Sequence, residues 1–409
     1  MKLLFADRLP EQTLVDLEAR GHVCVSEPGL ATGDLPARIA GFDILVVRST
    51  EVSGAVFDAA DRLALVIRAG AGTNTIDTDA AATRGVLVSN VPGRNAAAVA
   101  ELTMGLLLAI DRRIADNVAD LRGGHWDKAR YSKAEGLLGS TMGIIGLGSI
   151  GLAVAERAAA FGIHLQSIAK PGRDARVARR AEDLAIRMRD SMHELVSSSD
   201  IVTLHVPSTD ETRHMVDGDF LHQMKDGAIL LNTSRGDVVD GGALLAALDE
   251  GRVRAGLDVF PDEPGTAEGR WDSALARHPG VVATHHIGAS TRQAQQAIAA
   301  GVTEIVDAFV AGEARHCVNL EPSRLGSITL TVRHLDRVGV LAEVLGTLRT
   351  AGLNVEHMEN RVFRGGQAAV ASMDVAGETS EALLAALREI PDVLGVSEAR
   401  LGPDAGAGR

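Results

Sequence analysis

Residues 141–151 read TMGIIGLGSIG, and they decide the fold of the middle of the chain. The apolar run TMGIIG is typical of a β-strand, and the glycines after it have the G-x-G-x-x-G spacing. Such a turn lets a pyrophosphate approach the amino terminus of the next helix, although the pattern alone is often only a tight turn. Because strand, turn and helix are in register, the stretch predicts a dinucleotide-binding unit. Its predicted cofactor contacts are Gly146, Gly148, Ser149, Ile150 and Gly151.

A strand and helix alternation surrounds this stretch on both sides. In the first quarter, the runs KLLFA, FDILVV, LALVIRAGAG and GVLVSN alternate with alanine-rich segments of helical period. One long helix is predicted over residues 99–118, before the second alternating series begins. A further helix over 292–311 can return to pack on the first unit. The pattern predicts an α/β fold with two doubly wound Rossmann-like domains, the first of them discontinuous.

The last quarter has a different order of elements. From Ser327 the apolar patterns give strand, helix, strand, strand, helix, strand, which is the ferredoxin-like βαββαβ arrangement. The predicted domains are residues 1–97 with 288–316 for the substrate, 98–287 for the dinucleotide, 317–326 as a linker, 327–402 as the ferredoxin-like domain and 403–409 as a tail.

Composition limits the classes of function. The chain has 409 residues, 46% of them hydrophobic, and a formal net charge of −13. That charge argues against nucleic acid or an anionic membrane as the main partner, because both select basic surfaces. Cys24 and Cys317 have no metal-ligand spacing, so we expect neither a metal site nor a disulfide. The amino terminus has no long apolar core, and we expect a cytoplasmic protein.

Three stretches carry candidate chemistry: NTSRGDVVD with Arg235, LDVFPDEP with Asp258 and Glu263, and THHIGAST with His286. Dehydrogenation of a 2-hydroxy acid needs a cation for the carboxylate, a base for the hydroxyl proton and a carboxylate to orient that base. Each residue alone also has an ordinary interpretation, as a surface ion pair, a solvated turn residue or a loop histidine.

The motifs GLGSIG, SRGDVVD, DVFPDEP and HHIGAST, in this order, resemble the D-isomer-specific 2-hydroxyacid dehydrogenase family over residues 3–320. The resemblance implies that Arg235 binds the substrate carboxylate, His286 exchanges the proton and Glu263 pairs with His286. It implies further cofactor contacts at His205, Val206, Pro207, Thr233, Ser234, Asp258 and Gly288. It implies substrate contacts at Arg48, Ser49, Ala71, Gly72, Asn74 and Lys128. A solvated loop is an equal alternative for Lys128.

The sequence departs from the family pattern in two places. His285 stands where a proline usually precedes the catalytic histidine, and neighbours in an extended segment point to opposite sides. We assign catalysis to His286, because Ile287 and Gly288 follow it as the motif requires. Ala96 or Ala98 stands where a serine or threonine is common.

The stretch SIAKPGR, residues 167–173, bears on the choice of cofactor. NAD-selective units place an acidic side chain at the end of this strand, whereas Ala169 or Lys170 stands here. Lys170, with Arg173 beyond the turn, can attract a 2′-phosphate, and we expect relaxed selectivity between NAD and NADP. The alternative is that both cations are solvated and NAD is the working cofactor.

The tail resembles an ACT domain, which in this family accompanies oxidation of 3-phosphoglycerate in the first step of L-serine biosynthesis. The implied partners are a small phosphorylated 2-hydroxy acid, L-serine as an effector and further copies of the chain in a homodimer or homotetramer. The implied effector contacts are His334, Asp336 and Asn354, with Asp336 in place of a common asparagine and Val338 in place of a proline. A purely structural tail remains open.

Two other functions also remain open. One is reduction of hydroxypyruvate, glyoxylate or another 2-keto acid, and the other is a non-catalytic NAD-sensing protein. The intact set of Arg235, Glu263 and His286 disfavours the second.

Overall fold

The amino-terminal section forms a five-stranded parallel sheet in the order β2-β1-β3-β4-β5. The computed structural model describes residues 1–30, 32–264, 269–320 and 327–400. The strands of this sheet are β1 (Lys2–Phe5), β2 (Val23–Ser26), β3 (Ile44–Val47), β4 (Leu65–Arg68) and β5 (Leu87–Asn90). Its helices are α1 (Glu11–Ala19), α2 (Leu35–Arg38), α3 (Gly54–Ala59) and α4 (Thr78–Thr83). Strand β2 was not predicted, because its apolar run is only Val23–Val25 and none of its residues is buried.

The helix predicted over residues 99–118 is two helices, so that prediction was wrong. They are α5 (Ala96–Asp111) and α6 (Ile114–Arg122). Arg113 between them has φ 50°, a left-handed conformation that ends a right-handed helix. The apolar period continues across the break and hides it, although Ile114, Val118 and Leu121 of α6 are exposed rather than buried.

Seven parallel strands form the second sheet, in the order β12-β11-β10-β9-β6-β7-β8. The strands are β6 (Thr141–Ile145), β7 (His164–Ile168), β8 (Arg187–Arg189), β9 (Ile201–Leu204), β10 (Ala228–Asn232), β11 (Val253–Leu257) and β12 (Val281–Ala283). The helices are α7 (Ser149–Ala160), α8 (Ala175–Asp183), α9 (Met192–Ser198), α10 (Gly218–Gln223), α11 (Gly241–Asp249) and α12 (Ala274–Arg277). Strand β6 pairs with β7 on one side and with β9 on the other. The order of the strands therefore reverses at β6, and ligands bind at the carboxyl ends of the strands at such a point.

Helix α13 (Arg292–Val310) joins the second sheet back to the first. Its buried residues Ile298, Val302 and Val306 pack in one core cluster with Leu3 and Ile67 of the first sheet. Residues from α2, α3 and α4 form a separate cluster that includes Leu4 and Val66. Because neighbouring strand residues face opposite sides, the first sheet has a core on each face. The predicted doubly wound, discontinuous first domain is confirmed.

The carboxyl-terminal section forms a second compact unit, which begins at Leu320. Its elements are β13 (Ile328–Leu335), α14 (Val340–Thr350), β14 (Asn354–Val362), β15 (Ala368–Ala376), α15 (Glu381–Glu389) and β16 (Val393–Arg400). The antiparallel sheet has the order β14-β15-β13-β16, with the first and third strands central. This topology confirms the predicted ferredoxin-like domain.

Residues 317–319 belong to the first compact unit, although the sequence analysis assigned them to a linker. The backbone of Cys317 forms an antiparallel β-bridge with Ser89, and Val318 N–H donates to the Val88 carbonyl at 2.8 Å. The side chain of Asn319 accepts from Val88 N–H at 2.9 Å and so fastens the segment to β5. The rest of the linker from residue 321, and everything from residue 401 onward including the predicted tail, lie outside the described residues.

Candidate active site and cofactor cleft

The glycine turn lies at the carboxyl end of β6, where the order of the strands reverses. Gly146 has φ 99°, and a Cβ there would overlap the carbonyl oxygen of His205. A Cβ on Gly151 would overlap the Gly146 carbonyl, so neither position accepts a side chain. Gly148 precedes α7 without a side-chain cap, and nothing lies within 4 Å of where its Cβ would be. The first N–H groups of α7 are therefore free of a protein side-chain cap, as binding of a pyrophosphate requires.

His205, Val206 and Pro207 follow β9 on the other side of this reversal point. His205 N–H donates to the Ile145 carbonyl at 2.8 Å, and its Nε2 contacts Thr203 Oγ1 at 2.9 Å. Burial lowers the pKa of His205 to about 3, so its ring is neutral at physiological pH. The segment therefore brings no positive charge to the cleft through this histidine.

The end of β7 carries the residues that bear on the 2′-position of the cofactor. Ala169 N–H donates to the Arg189 carbonyl at 2.8 Å, and Lys170 next to it is exposed. Within the described ranges, the Lys170 ammonium has no carboxylate at ion-pair distance. Arg173 Nη2 donates to the Ile168 carbonyl at 2.6 Å, which holds its guanidinium at the end of the strand. The SIAKPGR stretch therefore places two cations, Lys170 and Arg173, at the end of β7, and it contains no acidic residue.

The loop after β10 is fixed by its own hydrogen bonds. Asn232 Oδ1 accepts from both the N–H and the hydroxyl of Ser234, and Asn232 Nδ2 donates to the Arg235 carbonyl at 2.8 Å. Thr233 Oγ1 contacts Thr103 Oγ1 of α5 at 2.9 Å. Thr233 and Ser234 are buried, whereas Arg235 extends from this rigid loop and is only partly buried.

Glu263 pairs with His286 rather than with His285. The distance from His286 Nδ1 to Glu263 Oε1 is 2.8 Å, whereas the exposed His285 side chain has no hydrogen-bond partner among the described residues. Burial alone raises the pKa of the Glu263 carboxyl, but the hydrogen bond and charge of His286 and the charge of Arg235 outweigh it and lower that pKa. Glu263 is therefore an anion at neutral pH, and it orients one ring nitrogen of His286.

Asp258 holds the segment that carries His286. Its Oδ1 accepts from the Thr284 hydroxyl at 2.6 Å and from Ile287 N–H at 2.8 Å, and its Oδ2 accepts from Gly288 N–H at 2.8 Å. His286 N–H donates to the Asp258 carbonyl, and His286 itself has φ 50°. The resemblance implied a cofactor contact for Asp258. In the structure the Asp258 residue is 1% exposed, and its carboxylate holds the His286 turn.

The first sheet contributes a loop that meets Arg235. A Cβ on Gly72 would overlap Arg235 Nη2, and Asn74 Oδ1 is 3.3 Å from the same position. The Ala71 carbonyl accepts from Asn90 Nδ2 at 2.6 Å, which ties this loop to the end of β5. The structure therefore brings the predicted substrate residues Gly72 and Asn74 beside Arg235.

Arg68 is a residue of this cleft that the sequence analysis missed. Burial, together with the charges of Arg235 and Arg48, lowers the pKa of Arg68 to about 10. Its guanidinium folds over Gly70, whose Cβ would overlap it. Arg68 ends β4 directly before the Ala71–Gly72 loop, and this position at the carboxyl edge of a parallel sheet is the signal that could have identified it. We call Arg48, Arg68 and Arg235 the arginine cluster.

Two predicted substrate residues, Ser49 and Lys128, do not join the arginine cluster. Ser49 donates its hydroxyl to Asp7 at 2.8 Å, so no side-chain donor is left for an anion. Lys128 lies on an exposed segment after α6, where Trp126 is 82% exposed. In the described part of this single chain, no contact brings the Lys128 ammonium to the other site residues.

The predicted effector residues differ in exposure. His334 is 1% exposed, and its ring nitrogens contact the Leu335 carbonyl at 2.8 Å and Asn360 Oδ1 at 3.2 Å. Asp336 and Asn354 are exposed, and Asn354 Nδ2 donates to Glu356 Oε1 at 2.8 Å. An effector can reach Asp336 and Asn354 directly, whereas it would have to displace the contacts of His334.

The described residues contain no cluster of three or more histidine, cysteine, aspartate or glutamate residues arranged to hold a metal ion. None of the helices within the described ranges is long and apolar enough to cross a membrane.

Comparison with protein families gives two matches. Residues 104–288 match the family described as "D-isomer specific 2-hydroxyacid dehydrogenase, NAD binding domain". Residues 328–392 match the ACT domain. The section that contains the second sheet is thus a nicotinamide dinucleotide-binding domain, and the ferredoxin-like unit is an ACT domain.

Individual relatives extend the similarity over more of the chain. A D-3-phosphoglycerate dehydrogenase of Methanocaldococcus jannaschii is 38% identical over 85% of this chain, which spans 64% of that protein's length. A hydroxypyruvate reductase of Thermotoga maritima is 41% identical, over 73% of this chain and 94% of that one. An acyclic imino acid reductase solved with NADPH and D-arginine is 26% identical, over 78% of this chain and 100% of that one, with a TM-score of 0.69. The chain belongs to the D-isomer specific 2-hydroxyacid dehydrogenase family.

Proposed function

We propose that this protein is a D-3-phosphoglycerate dehydrogenase. The reaction moves a hydride from C2 of 3-phosphoglycerate to a nicotinamide cofactor and releases the hydroxyl proton, which gives 3-phosphohydroxypyruvate. This reaction is the first step of phosphorylated L-serine biosynthesis. The proposal is supported by the similarity to the Methanocaldococcus jannaschii enzyme, by the ACT domain and above all by the arginine cluster.

The arginine cluster is the observation that carries the proposal. Its three guanidinium groups lie close enough for the charges of Arg48 and Arg235 to lower the pKa of Arg68. Over the described parts of the chain, none of the three has a carboxylate at ion-pair distance. One arginine satisfies the carboxylate of a simple 2-hydroxy acid, so two further cations favour a substrate with a second anionic group. A phosphate at C3 has the charge and the acceptor oxygens for Arg48 and Arg68.

The other polar residues fit proton transfer at C2. His286 can accept the hydroxyl proton of the substrate, and Glu263, an anion at neutral pH, stabilises the imidazolium that results. Asp258 accepts from the backbone N–H groups that follow His286 and from the Thr284 hydroxyl before it, and so holds the turn that carries the ring. Arg235 beside Gly72 would hold the carboxylate at C1.

The cleft fits a nicotinamide dinucleotide. The space at Gly148, the excluded side chains at Gly146 and Gly151 and the uncapped amino terminus of α7 suit a pyrophosphate. The bound cofactor would accept or supply the hydride. Its further contacts would come from Val206, Pro207 and the loop of Thr233 and Ser234, and from Ile150 and Gly288.

We further propose that the cleft admits NADP(H) as well as NAD(H). NAD-selective units carry an acidic residue at the end of the second strand, and here Lys170 and Arg173 occupy this region. The similarity to a reductase solved with NADPH is consistent with this proposal.

Serine is the effector that we propose for the ACT domain. Asp336 can accept hydrogen bonds from an amino group, and the Asn354 amide can donate to a carboxylate. Both side chains are exposed on the ACT domain, as an effector site requires. Binding at an interface between two copies of the chain would combine these residues with those of the partner.

Reduction of hydroxypyruvate is the second candidate function. Its support is the Thermotoga maritima hydroxypyruvate reductase, which this chain matches over nearly its whole length. Hydroxypyruvate has no phosphate. Its reduction would therefore not need Arg48 and Arg68 for phosphate binding, whereas the proposed reaction would.

Replacement of Arg68 by glutamine tests the proposed substrate. Arg68→Gln should raise KM for phosphohydroxypyruvate about ten- to hundredfold, the effect of losing one charge-assisted contact, and should change KM for hydroxypyruvate little. Arg62→Gln is the matched control, because Arg62 pairs with Asp43 at the amino-terminal end of β3, whereas Arg68 lies at the carboxyl end of β4. Equal effects of Arg68→Gln on both substrates would contradict recognition of a phosphate.

A further inference from the structure

Asp7 organises the turn that carries Arg48. Its Oδ2 accepts hydrogen bonds from three successive backbone N–H groups, those of Arg48 at 2.6 Å, Ser49 at 3.1 Å and Thr50 at 3.0 Å. Its Oδ1 accepts from the Ser49 hydroxyl at 2.8 Å. Burial alone raises the pKa of the Asp7 carboxyl, but these hydrogen bonds outweigh it and lower the pKa. Both oxygens of one carboxylate therefore serve a turn that is distant in sequence.

This arrangement determines how the turn can bind an anion. Successive backbone N–H groups form a concavity that binds phosphates in many proteins. Here the concavity after β3 is filled by the protein's own carboxylate, so its N–H groups cannot serve a ligand. The Ser49 hydroxyl also donates its hydrogen bond to Asp7. At this turn the Arg48 guanidinium, rather than the backbone N–H groups, is therefore available to an anion.

The far side of the same turn is fastened to the other substrate loop. Val52 N–H donates to the Thr75 carbonyl at 2.7 Å, and Asp77 N–H donates to the Val52 carbonyl at 2.9 Å. Thr75 directly follows Asn74, which lies beside Arg235. Asp7 holds the Arg48 side of the turn, and the Thr75 loop holds its other side. The turn that carries Arg48 is therefore attached to the protein on both sides.

We propose that Asp7 is a positioning residue for phosphate recognition: it fixes the Arg48 turn so that the guanidinium meets the phosphate of the substrate without rearrangement. The inference rests on the proposed function. Positioning and simple charge predict opposite effects when Asp7 is lost. Removing an anion near Arg48 and Arg68 strengthens the binding of a phosphate by Coulomb attraction, whereas releasing the turn weakens it.

Three variants of the full-length chain test this inference. Asp7→Ala removes all four hydrogen bonds and should raise KM for phosphohydroxypyruvate about tenfold, with kcat within about threefold of wild type. KM for hydroxypyruvate should stay within about twofold, because that substrate does not use Arg48. Asp7→Asn retains an oxygen for the backbone N–H groups, and its amide can donate to Ser49 Oγ, so it should recover most of the loss.

Asp43→Ala is the matched control for loss of fold. Asp43 accepts from Lys2 N–H at 2.7 Å and from Arg62. It lies at the amino-terminal end of β3, whereas Asp7 lies near the carboxyl end of that strand. The Asp43→Ala variant should leave the ratio of KM for phosphohydroxypyruvate to KM for hydroxypyruvate unchanged, whatever its effect on stability.

Three outcomes would overturn the inference. One is an unchanged KM for phosphohydroxypyruvate in Asp7→Ala while the wild type prefers that substrate, and in that case the proposed function stands. Another is a KM that falls in both Asp7 variants, which would make Asp7 a counter-charge. The third is a wild-type protein with no preference for the phosphorylated substrate, which overturns the proposed function as well.

Discussion

His286 occupies a left-handed backbone conformation, with φ 50°, that a non-glycine residue keeps only when its surroundings hold it. Asp258 supplies that hold through the N–H groups of Ile287 and Gly288, and Glu263 then orients the ring. The preceding His285 has no comparable attachment within the described chain. Of two adjacent histidines, only His286 has the fixed geometry that general acid and base catalysis requires.

The first residue-scale prediction separates these two histidines. His286→Ala should lower kcat about 10²- to 10⁴-fold, the usual contribution of a general acid or base, and should leave the dissociation constant for NADH nearly unchanged. His285→Ala is the control and should retain activity within about tenfold. Steady-state kinetics with a fluorescence titration of NADH check both, and an inactive His285→Ala beside an active His286→Ala would reverse the assignment.

The second prediction concerns pH. The pKa of the Glu263 carboxyl is lowered from 4.5, so the carboxylate is charged throughout the neutral range and is lost only as the pH falls below that value. Reduction of the keto acid needs a protonated His286, which Glu263 stabilises. In wild type, kcat/KM for reduction should therefore fall as the pH drops through the lowered pKa of Glu263, and this acid-side fall should be absent in Glu263→Gln, which cannot titrate there. An acid-side fall at the same pH in wild type and variant would show that Glu263 is not the group responsible.

The sequence was informative about residues that lie in motifs and uninformative about Arg68 and Asp7. Arg235, Glu263 and His286 each belong to a recognisable stretch, and the structure brings them into one cleft. Arg68 belongs to no motif, and only its position at the carboxyl end of β4, directly before the Ala71–Gly72 loop, distinguishes it from a surface cation. The partners of Asp7 are more than 40 residues away, and such a hydrogen bond becomes visible only when the register of β1 and β3 is known.

At the scale of elements, the carboxyl ends of the parallel strands gather the site. The turns after β6, β7, β9 and β10 provide the cofactor cleft, while those after β3 and β4 provide Arg48 and the loop beside Arg235. Apolar period alone predicted most of these elements. It missed the short edge strand β2. It also missed the break at Arg113, because an apolar pattern does not record which side of a helix is covered.

The prediction at this scale concerns the end of β7. Wild type should use NADPH with a kcat/KM within about tenfold of that for NADH, because no carboxylate of this stretch repels the 2′-phosphate. Lys170→Asp should shift the preference toward NADH, since a carboxylate accepts from the ribose hydroxyls and repels phosphate. Lys225→Asp, a charge reversal at a lysine that pairs with Asp200, is the control. A wild-type preference for NADH of about a thousandfold or more would contradict the proposal.

At the scale of the whole molecule, the chain comprises two compact units with separate sheets and separate cores. The unit up to Asn319 contains every residue of the proposed chemistry, and the unit from Leu320 contains the ACT domain. This division suggests that catalysis and the response to an effector can be separated.

The prediction at this scale uses that separation. A chain that ends at residue 326 should keep phosphohydroxypyruvate reductase activity, because its cleft and both parallel sheets are intact. It should lose any change in rate that millimolar L-serine causes in the full-length protein. Asp336→Ala in the full-length chain should weaken the same response without loss of the domain. Calorimetry that detects no binding of L-serine to the full-length protein would make the ACT domain a structural module.

The central claim is that the cleft recognises a phosphorylated 2-hydroxy acid, and one comparison tests it most directly. The wild-type protein is assayed for reduction of phosphohydroxypyruvate, hydroxypyruvate and glyoxylate, each with NADH and with NADPH. With two arginines available for the phosphate, kcat/KM should favour phosphohydroxypyruvate over hydroxypyruvate by about a hundredfold or more. An equal or higher kcat/KM for hydroxypyruvate would contradict the claim and favour the alternative 2-keto acid reductase.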